Sequence, residues 1–469
     1  MTREPITVYA LHALGGSGAS FDAVASRLGD DVRLVTIDLP GFGDAASLPG
    51  RTVTEMADHV LARIHRDGSS RWLILGHSMG GKVASVVARR AVAGADPVFG
   101  FAGVVLLAGS PPTPEPMPDD KRAEMLGWLD GPGLGAHAQE FVDANTGRPL
   151  AAPAQEHALA DVSRTDPDAW RSWMTEGSRE DVSALVGVVD APAVILAGED
   201  DADLGADAQP RLHGAVYPRA RFVRLPGTGH FVPQERPDDV VAAITALCAA
   251  IADNAPVVPP EWARLIASTA VEPRVRAALA ARAVADDPAY APRAVTAAQL
   301  ATLRALADIV VPQPAGPGEG RIDLAARYDR QLAAGEGDGW RPAALPPDAV
   351  ASGLALDALA AAVAQGQTTS LVEKIIAGEC EPADSALPPA QLQAWFEDVR
   401  VDLIRHWLAH PASLARTGND AFATRGIPDP RGFAVLGAGL RAPWEPDELG
   451  AAVAVADDRR PTADGEDAA

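Results

Sequence analysis

The stretch Leu73-Ile74-Leu75-Gly76-His77-Ser78-Met79-Gly80-Gly81 constrains this chain more than any other. A short apolar run ends in Gly-x-Ser-x-Gly, and Lys82 to Ala93 then read as a helix with Val83, Val86 and Val87 on one side. Strand, tight turn and helix in that order hold a serine at a strand tip. Gly76 and Gly80 have no Cβ, so the backbones on either side of the turn can pass closely. Ser78 then stands exposed, with the Met79 amide and the helix N-terminus aimed at any oxyanion formed there. The motif is short enough to arise by chance, so its flanks must carry the assignment.

A chain of 469 residues exceeds one ordinary core, and two or three domains are expected. A net charge of −23 argues against nucleic acid or an anionic membrane as the main partner. The two cysteines, Cys248 and Cys380, are far apart and form neither a disulfide framework nor a CxxC metal signature. Cys248 falls on the apolar side of Val240, Ile244, Leu247 and Ile251, as a core residue would. No apolar run approaches the length of a membrane span. The N-terminus runs straight into a strand without a signal-peptide core, so a cytoplasmic location is expected.

Ile6–Leu11 and Val32–Ile37 read as strands, each ending in an unusual cluster: His12-Ala13-Leu14-Gly15-Gly16-Ser17 after the first, Asp38-Leu39-Pro40-Gly41-Phe42-Gly43 after the second. A helix over about 54–66 leads to the strand before Ser78. Further strands are expected at Val104–Ala108, Val194–Ala197 and Phe222–Leu225. Strands alternating with helices predict a parallel, doubly wound α/β sheet, with ligands at the carboxyl ends of its strands. Two more clusters fall at such ends: Gly198-Glu199-Asp200-Asp201-Ala202-Asp203 and Pro226-Gly227-Thr228-Gly229-His230-Phe231. A serine needs an adjacent base to become nucleophilic, and a histidine needs a carboxylate to fix its tautomer. Ser78, an acid, then His230 is a chain order compatible with that arrangement.

Residues 5 to about 252 resemble an α/β-hydrolase of the esterase, lactonase and C–C hydrolase type. The resemblance rests on L-H-A-L-G-G-S, D-L-P-G-F-G, G-H-S-M-G-G, L-A-G-E-D-D and G-T-G-H-F. It implies Ser78 as nucleophile, His230 as base and Asp201 as the triad acid, with Asp200 and Asp203 as neighbouring alternatives. The oxyanion amides it implies are those of Met79 and Leu14. This chain has His12-Ala13 where the family usually has His-Gly, which adds a methyl beside a tight backbone path. His12 and Asp38 are expected to hold their loops. A helical cap is expected over about 111–186, where Met117, Met125, Trp128, Trp170, Trp173 and Met174 are candidates to line an apolar cavity.

Residues 253–260 read as a linker, and the chain beyond it lacks strand alternation. Thr296-Ala297-Ala298-Gln299 is a capping box opening a helix with Leu300, Leu303, Ala307 and Val310 on one side. A further helix over about 390–409 should bury Leu392, Trp395, Val399, Leu403 and Trp407. Residues 261–445 are therefore expected to be a separate all-α domain, followed by a polar, disordered tail at 446–469. This half resembles the small third subunit of gluconate 2-dehydrogenase, through L-R-A-L-A-D-I-V-V-P-Q, I-D-L-A-A-R-Y-D, G-E-G-D-G-W-R-P, W-F-E-D-V-R and W-L-A-H-P-A-S-L-A-R-T-G. The resemblance implies association with a flavoprotein of the glucose-methanol-choline class and no cofactor of its own. His406 and His410 lie one helical turn apart, but two histidines make an incomplete metal site. Trp395, Trp407 and Trp444 read as core residues.

The resemblance implies a serine hydrolase acting on a small carboxylic ester or lactone, without cofactor or metal. A C–C bond hydrolase using the same residues is the first alternative. A non-catalytic accessory subunit of a flavin-dependent dehydrogenase is the second.

Overall fold

A computed structural model of the chain describes residues 4–314, 318–336, 342–382 and 385–423. Trp444, the end of the expected helical domain, the tail 446–469 and most of G-E-G-D-G-W-R-P lie outside the described residues.

Six strands form one parallel sheet in the order β2-β1-β3-β4-β5-β6. They are β1 (Ile6–Leu11), β2 (Val32–Ile37), β3 (Trp72–His77), β4 (Phe101–Leu107), β5 (Ala193–Gly198) and β6 (Ala220–Leu225). β1, β3, β4 and β5 are buried along their whole length, whereas the edge strands β2 and β6 are partly exposed. That is why the central strands read as continuous apolar runs: helices cover both faces of a parallel sheet. Two apolar cores result, one around Trp72, Ile74, Val83 and Val87, the other around Val8, Leu75, Leu107 and Ile244. Cys248 lies in the second.

The chain order reverses between β1 and β3, which are neighbours although β2 separates them in sequence. The crevice outside the strand ends at such a reversal is where doubly wound sheets bind ligands. Ser78 follows β3 and His12-Ala13-Leu14 follow β1, so both sit at this point.

Between β4 and β5 the helices Asp119–Gly127, Leu134–Asn145, Ala152–Arg164 and Pro167–Ser172 cover the strand ends, the last continuing into a π-helical turn, Trp173–Gly177. Trp170 is wholly buried, and its indole donates to the Met125 carbonyl at 2.9 Å. Lys82, fully buried in the helix Met79–Val92, donates to the carbonyls of Gly177 and Glu180 at 3.0 and 2.8 Å. A lysine one turn beyond the serine thus anchors the cap to the helix under it.

The stretch 253–260, expected as a linker, has Ala255 and Val258 buried, and Arg71 donates to the carbonyls of Ala255 and Pro256. The helices Pro260–Ile266 and Pro273–Ala283 pack with Phe99 of the sheet domain through Ala263, Ile266 and Leu279. Buried Arg276 stitches them to it, donating to the carbonyls of Gly94 and Asp96. Beyond them the helices Ala297–Val310, Leu324–Ala334, Asp348–Ala364, Thr368–Ala377 and Pro389–Leu408 share a core around Leu303, Leu356, Trp395 and Phe396. The Thr296–Gln299 capping box is formed in both directions. Trp407, expected in the core, is only partly buried. The His410 ring accepts from the Ala412 amide at 3.1 Å and so caps the helix Pro411–Thr417. Among the described residues no helix is long and apolar enough to cross a membrane.

Candidate active site

Ser78 occupies φ 52°, ψ −119°, a backbone region that side chains other than glycine rarely enter. The surrounding hydrogen bonds hold it there. The Ser78 amide donates to the Leu107 carbonyl at 3.0 Å, and the Ser78 carbonyl accepts from Gly81 at 2.7 Å and Ser110 at 2.9 Å. The two motif glycines are required by contact. A Cβ on Gly76 would lie 2.4 Å from the Gly80 carbonyl oxygen, and one on Gly80 would lie 2.5 Å from that of Leu11.

His230, on the loop after β6, and Asp201, on the loop after β5, meet at 2.6 Å between Nδ1 and Oδ2. The other carboxylate oxygen of Asp201 accepts from the amides of Asp203 and Leu204, both at 3.1 Å. Burial alone would raise the Asp201 carboxyl, but His230 and these amides outweigh it and hold it down at about 2. Burial pulls His230 downward, and the facing Asp201 carboxylate more than offsets that, leaving the imidazole above its ordinary value. Asp200 is exposed, and Asp203 pairs with Lys121 at 2.7 Å. Of the three aspartates considered, Asp201 faces the imidazole.

Ser78 and His230 line one cavity of about 120 Å³, together with Leu14, Asp201 and Asp203. Among the described residues no hydrogen bond joins the Ser78 hydroxyl to the imidazole; without substrate such contacts are often long and tighten on binding. The amides of Leu14 and Met79 likewise have no protein acceptor among the described residues, so both are free to donate. His12 has a holding role: its Nδ1 donates to the Ala13 carbonyl at 2.8 Å while Nε2 accepts from Leu39 at 3.0 Å. Asp38 accepts from the amides of Gly18 and Asp44 at 2.7 and 2.6 Å, closing its own turn.

Of the six cap residues expected around the cavity, Met117, Met125 and Trp173 line it. Trp128, Trp170 and Met174 do not; they pack between cap and sheet domain in the apolar core. Sequence reasoning missed Phe141, Asn145 and Thr146, which the end of the helix Leu134–Asn145 brings over His230. It also missed Glu115, whose signal was positional: a carboxylate shortly after β4, at the same edge of the sheet as every other cluster.

A profile described as the alpha/beta hydrolase family matches residues 8–244. The pimeloyl-[acyl-carrier protein] methyl ester esterase of Sodalis glossinidius is 36% identical over 101 residues, 22% of this chain and 35% of that protein, so the chain spans about a third of that relative's length. The protein of the same name in Neisseria meningitidis serogroup B / serotype 15 is 26% identical over 220 residues, 46% of this chain and 82% of the relative. Among solved structures, a thermophilic esterase from Thermogutta terrifontis aligns with a TM-score of 0.44 and 23% identity, over 52% of this chain and 90% of that one. Since the profile covers just over half of the chain, from within β1 to the helix that follows the histidine loop, the chain belongs to the α/β hydrolase family.

Proposed function

We propose that this chain is a serine hydrolase of small carboxylic esters or lactones. His230 Nε2 takes the Ser78 proton as Oγ attacks the substrate carbonyl, and the Met79 and Leu14 amides stabilise the oxyanion. Collapse expels the alcohol, which receives the proton from His230 and leaves an acyl-serine. Water, deprotonated by the same imidazole, then releases the acid. Asp201 fixes the tautomer of His230 and stabilises its protonated form. The observation that carries this reading is the 2.6 Å contact between His230 and Asp201 at the rim of a cavity that Ser78 shares. The names of the relatives support an ester as the substrate class.

The test is turnover of short-chain methyl esters and lactones by the full chain and by Ser78→Ala, with labelling by a fluorophosphonate probe. Loss of labelling and a fall in kcat of several orders of magnitude are expected. Ester turnover that survives Ser78→Ala would overturn the reading.

A second role concerns the helical region, which we propose docks a flavoprotein of the glucose-methanol-choline class. Val401, Ile404 and Leu408 recur at helical spacing along Pro389–Leu408 and are exposed, which supports a protein-binding face. Mixing the purified chain with such a flavoprotein and measuring sedimentation tests it. Complex formation that Ile404→Glu abolishes is expected, and no association at micromolar concentrations removes the idea.

A further inference from the structure

His77 stands between the glycine and the serine of the Gly-His-Ser-Met-Gly turn and is the last residue of β3. None of the proposed catalytic steps uses it, yet its side chain reaches the far half of the site. Its Nε2 lies 2.8 Å from the backbone carbonyl oxygen of His230, 153 residues away in sequence. The two imidazoles are 5.3 Å apart between ring centres, and the Phe231 ring meets His77 edge-on at 6.3 Å.

The chemistry of this contact has one solution. A carbonyl oxygen only accepts, so Nε2 carries the proton and Nδ1 is bare. Nδ1 is buried and has no partner among the described residues, so a second proton there would be a buried donor without an acceptor. Burial, with His230 close by, holds the imidazole down at about 3. His77 is therefore a neutral, permanent donor near pH 7. A proton taken up by His230 meets no second charge on this neighbour.

The contact also shortens the path between two distant parts of the chain. The residue before Ser78 bonds the residue that carries the facing imidazole. Serine and histidine are thus tied across one hydrogen bond instead of through β4, β5, β6 and their loops. The same carbonyl accepts from the Val232 amide at 2.9 Å, and the His230 amide is held by the Asn145 carbonyl of the cap. His77 supplies the tie from the sheet side, Asn145 the one from the cap side. A base free to drift by about an ångström loses about 100-fold in rate, so such a tie matters to turnover and not only to folding.

We propose that His77 is a positioning residue: its Nε2–H, bonded to the His230 carbonyl, holds the His230 imidazole within reach of the Ser78 hydroxyl. This rests on the serine hydrolase reading.

The experiment measures kcat and KM for methyl butanoate with the full chain, His77→Leu and His77→Gln, well below the melting temperature of each. Leucine fills much of the space without a donor, whereas the glutamine amide ends near the position of Nε2. In folded His77→Leu, kcat should fall by about ten- to a hundredfold while KM stays within about threefold, and His77→Gln should recover most of the loss. Should His77→Leu not fold, His77→Asn replaces it, because its amide stops at the level of Nδ1, short of the carbonyl. A folded variant without the donor that keeps its kcat overturns the assignment, even if it melts earlier. So does a His77→Gln no faster than the variant lacking the donor, or a loss that falls on KM alone. Failure of all three to fold marks His77 as an ordinary core residue and overturns it too. Ser78→Ala, run in parallel, separates the two failures. Turnover that depends on Ser78 but ignores His77 sinks only the positioning role, whereas turnover independent of Ser78 sinks the hydrolase reading itself.

Discussion

The His230 amide donates to the Asn145 carbonyl at 2.8 Å, so the loop carrying the imidazole is tied to the last residue of a cap helix. Glu235 reinforces the tie. Its carboxylate accepts from Gly229 at 3.1 and 3.2 Å and from Gly147 at 3.0 Å, bridging the histidine loop and the chain leaving that helix. Placement of the cap and placement of the His230 loop are therefore one problem.

Glu235→Ala tests this coupling. The buried Gly229 amide loses its acceptor, which costs about 1–3 kcal/mol where no water replaces it, while the amide of exposed Gly147 turns to solvent at little cost. Thermal unfolding should shift downward, and kcat should fall by at least about tenfold, because small displacements of a base are expensive in rate. A variant that melts earlier yet keeps its kcat would show that the bridge serves stability alone.

The sheet was legible because its central strands are apolar end to end, and β1 and β2 run over the residues that alternation and composition select. The candidate site residues Ser78, Asp201 and His230 could be singled out because glycines flank them at strand tips, where close backbone approach leaves few alternatives. The cap was not. Whether Trp170 or Trp173 faces the cavity depends on how four helices pack, and both are large apolar residues with the same local preferences. Buried polar groups were harder still. Nothing local distinguishes Lys82 or Glu115 from surface residues; only the cap closing over them puts them inside. At the stretch 253–260 proline-rich composition marks irregular backbone but does not reveal whether that backbone is packed.

The imidazole sets the pH response. His230 lies above its ordinary 6.5 because Asp201 outweighs burial, and it must be neutral to act as a base. Turnover should thus rise with pH through an inflection above 6.5, which a kcat/KM profile would locate. Asp201→Asn removes the upward pull and leaves burial, so the inflection should move down while kcat drops about 10⁴-fold. Stability has its own signs. The raised histidine contributes fully below 6.5 and loses that contribution as pH rises through its folded value. Asp201, held at about 2 against an ordinary 3.8, contributes above 3.8 and loses that as pH falls toward 2. An inflection at or below 6.5 in the parent chain would contradict the pairing.

Ser78 should be a residue whose removal stabilises the fold. Its positive φ costs on the order of 1–3 kcal/mol for a residue with a Cβ, and glycine escapes most of it. Glycine returns part of the gain through its freer unfolded chain, about 0.5–1 kcal/mol. Ser78→Gly should therefore be more stable than Ser78→Ala by about 1 kcal/mol in urea titrations, with both inactive. A midpoint for Ser78→Gly below that of Ser78→Ala would mean that the turn holds no strain.

Lys82 offers the sharpest test of how the cap is held. Its ammonium is buried, donates to Gly177 and Glu180, and lies 5.9 Å from the centre of the Trp173 ring. Burial lowers its pKa to about 8, against the pull of Glu115 and Glu180. Between about pH 8 and the ordinary lysine value of 10.5 the unfolded chain binds the proton more tightly, so stability from this residue rises with pH across that window. Lys82→Met keeps the length of the side chain but leaves two carbonyls without a donor, a loss of about 1–3 kcal/mol apiece if they stay dry. The variant should melt earlier than the parent, and the gap should widen between pH 8 and 10, because only the parent sheds a buried charge there. Trp173 lines the cavity, so loosening Gly177 should raise KM more than it lowers kcat. A gap that stays constant with pH would show that Lys82 keeps its proton as readily as a surface lysine. In that case the cap is held by packing around Trp170 rather than by this charge.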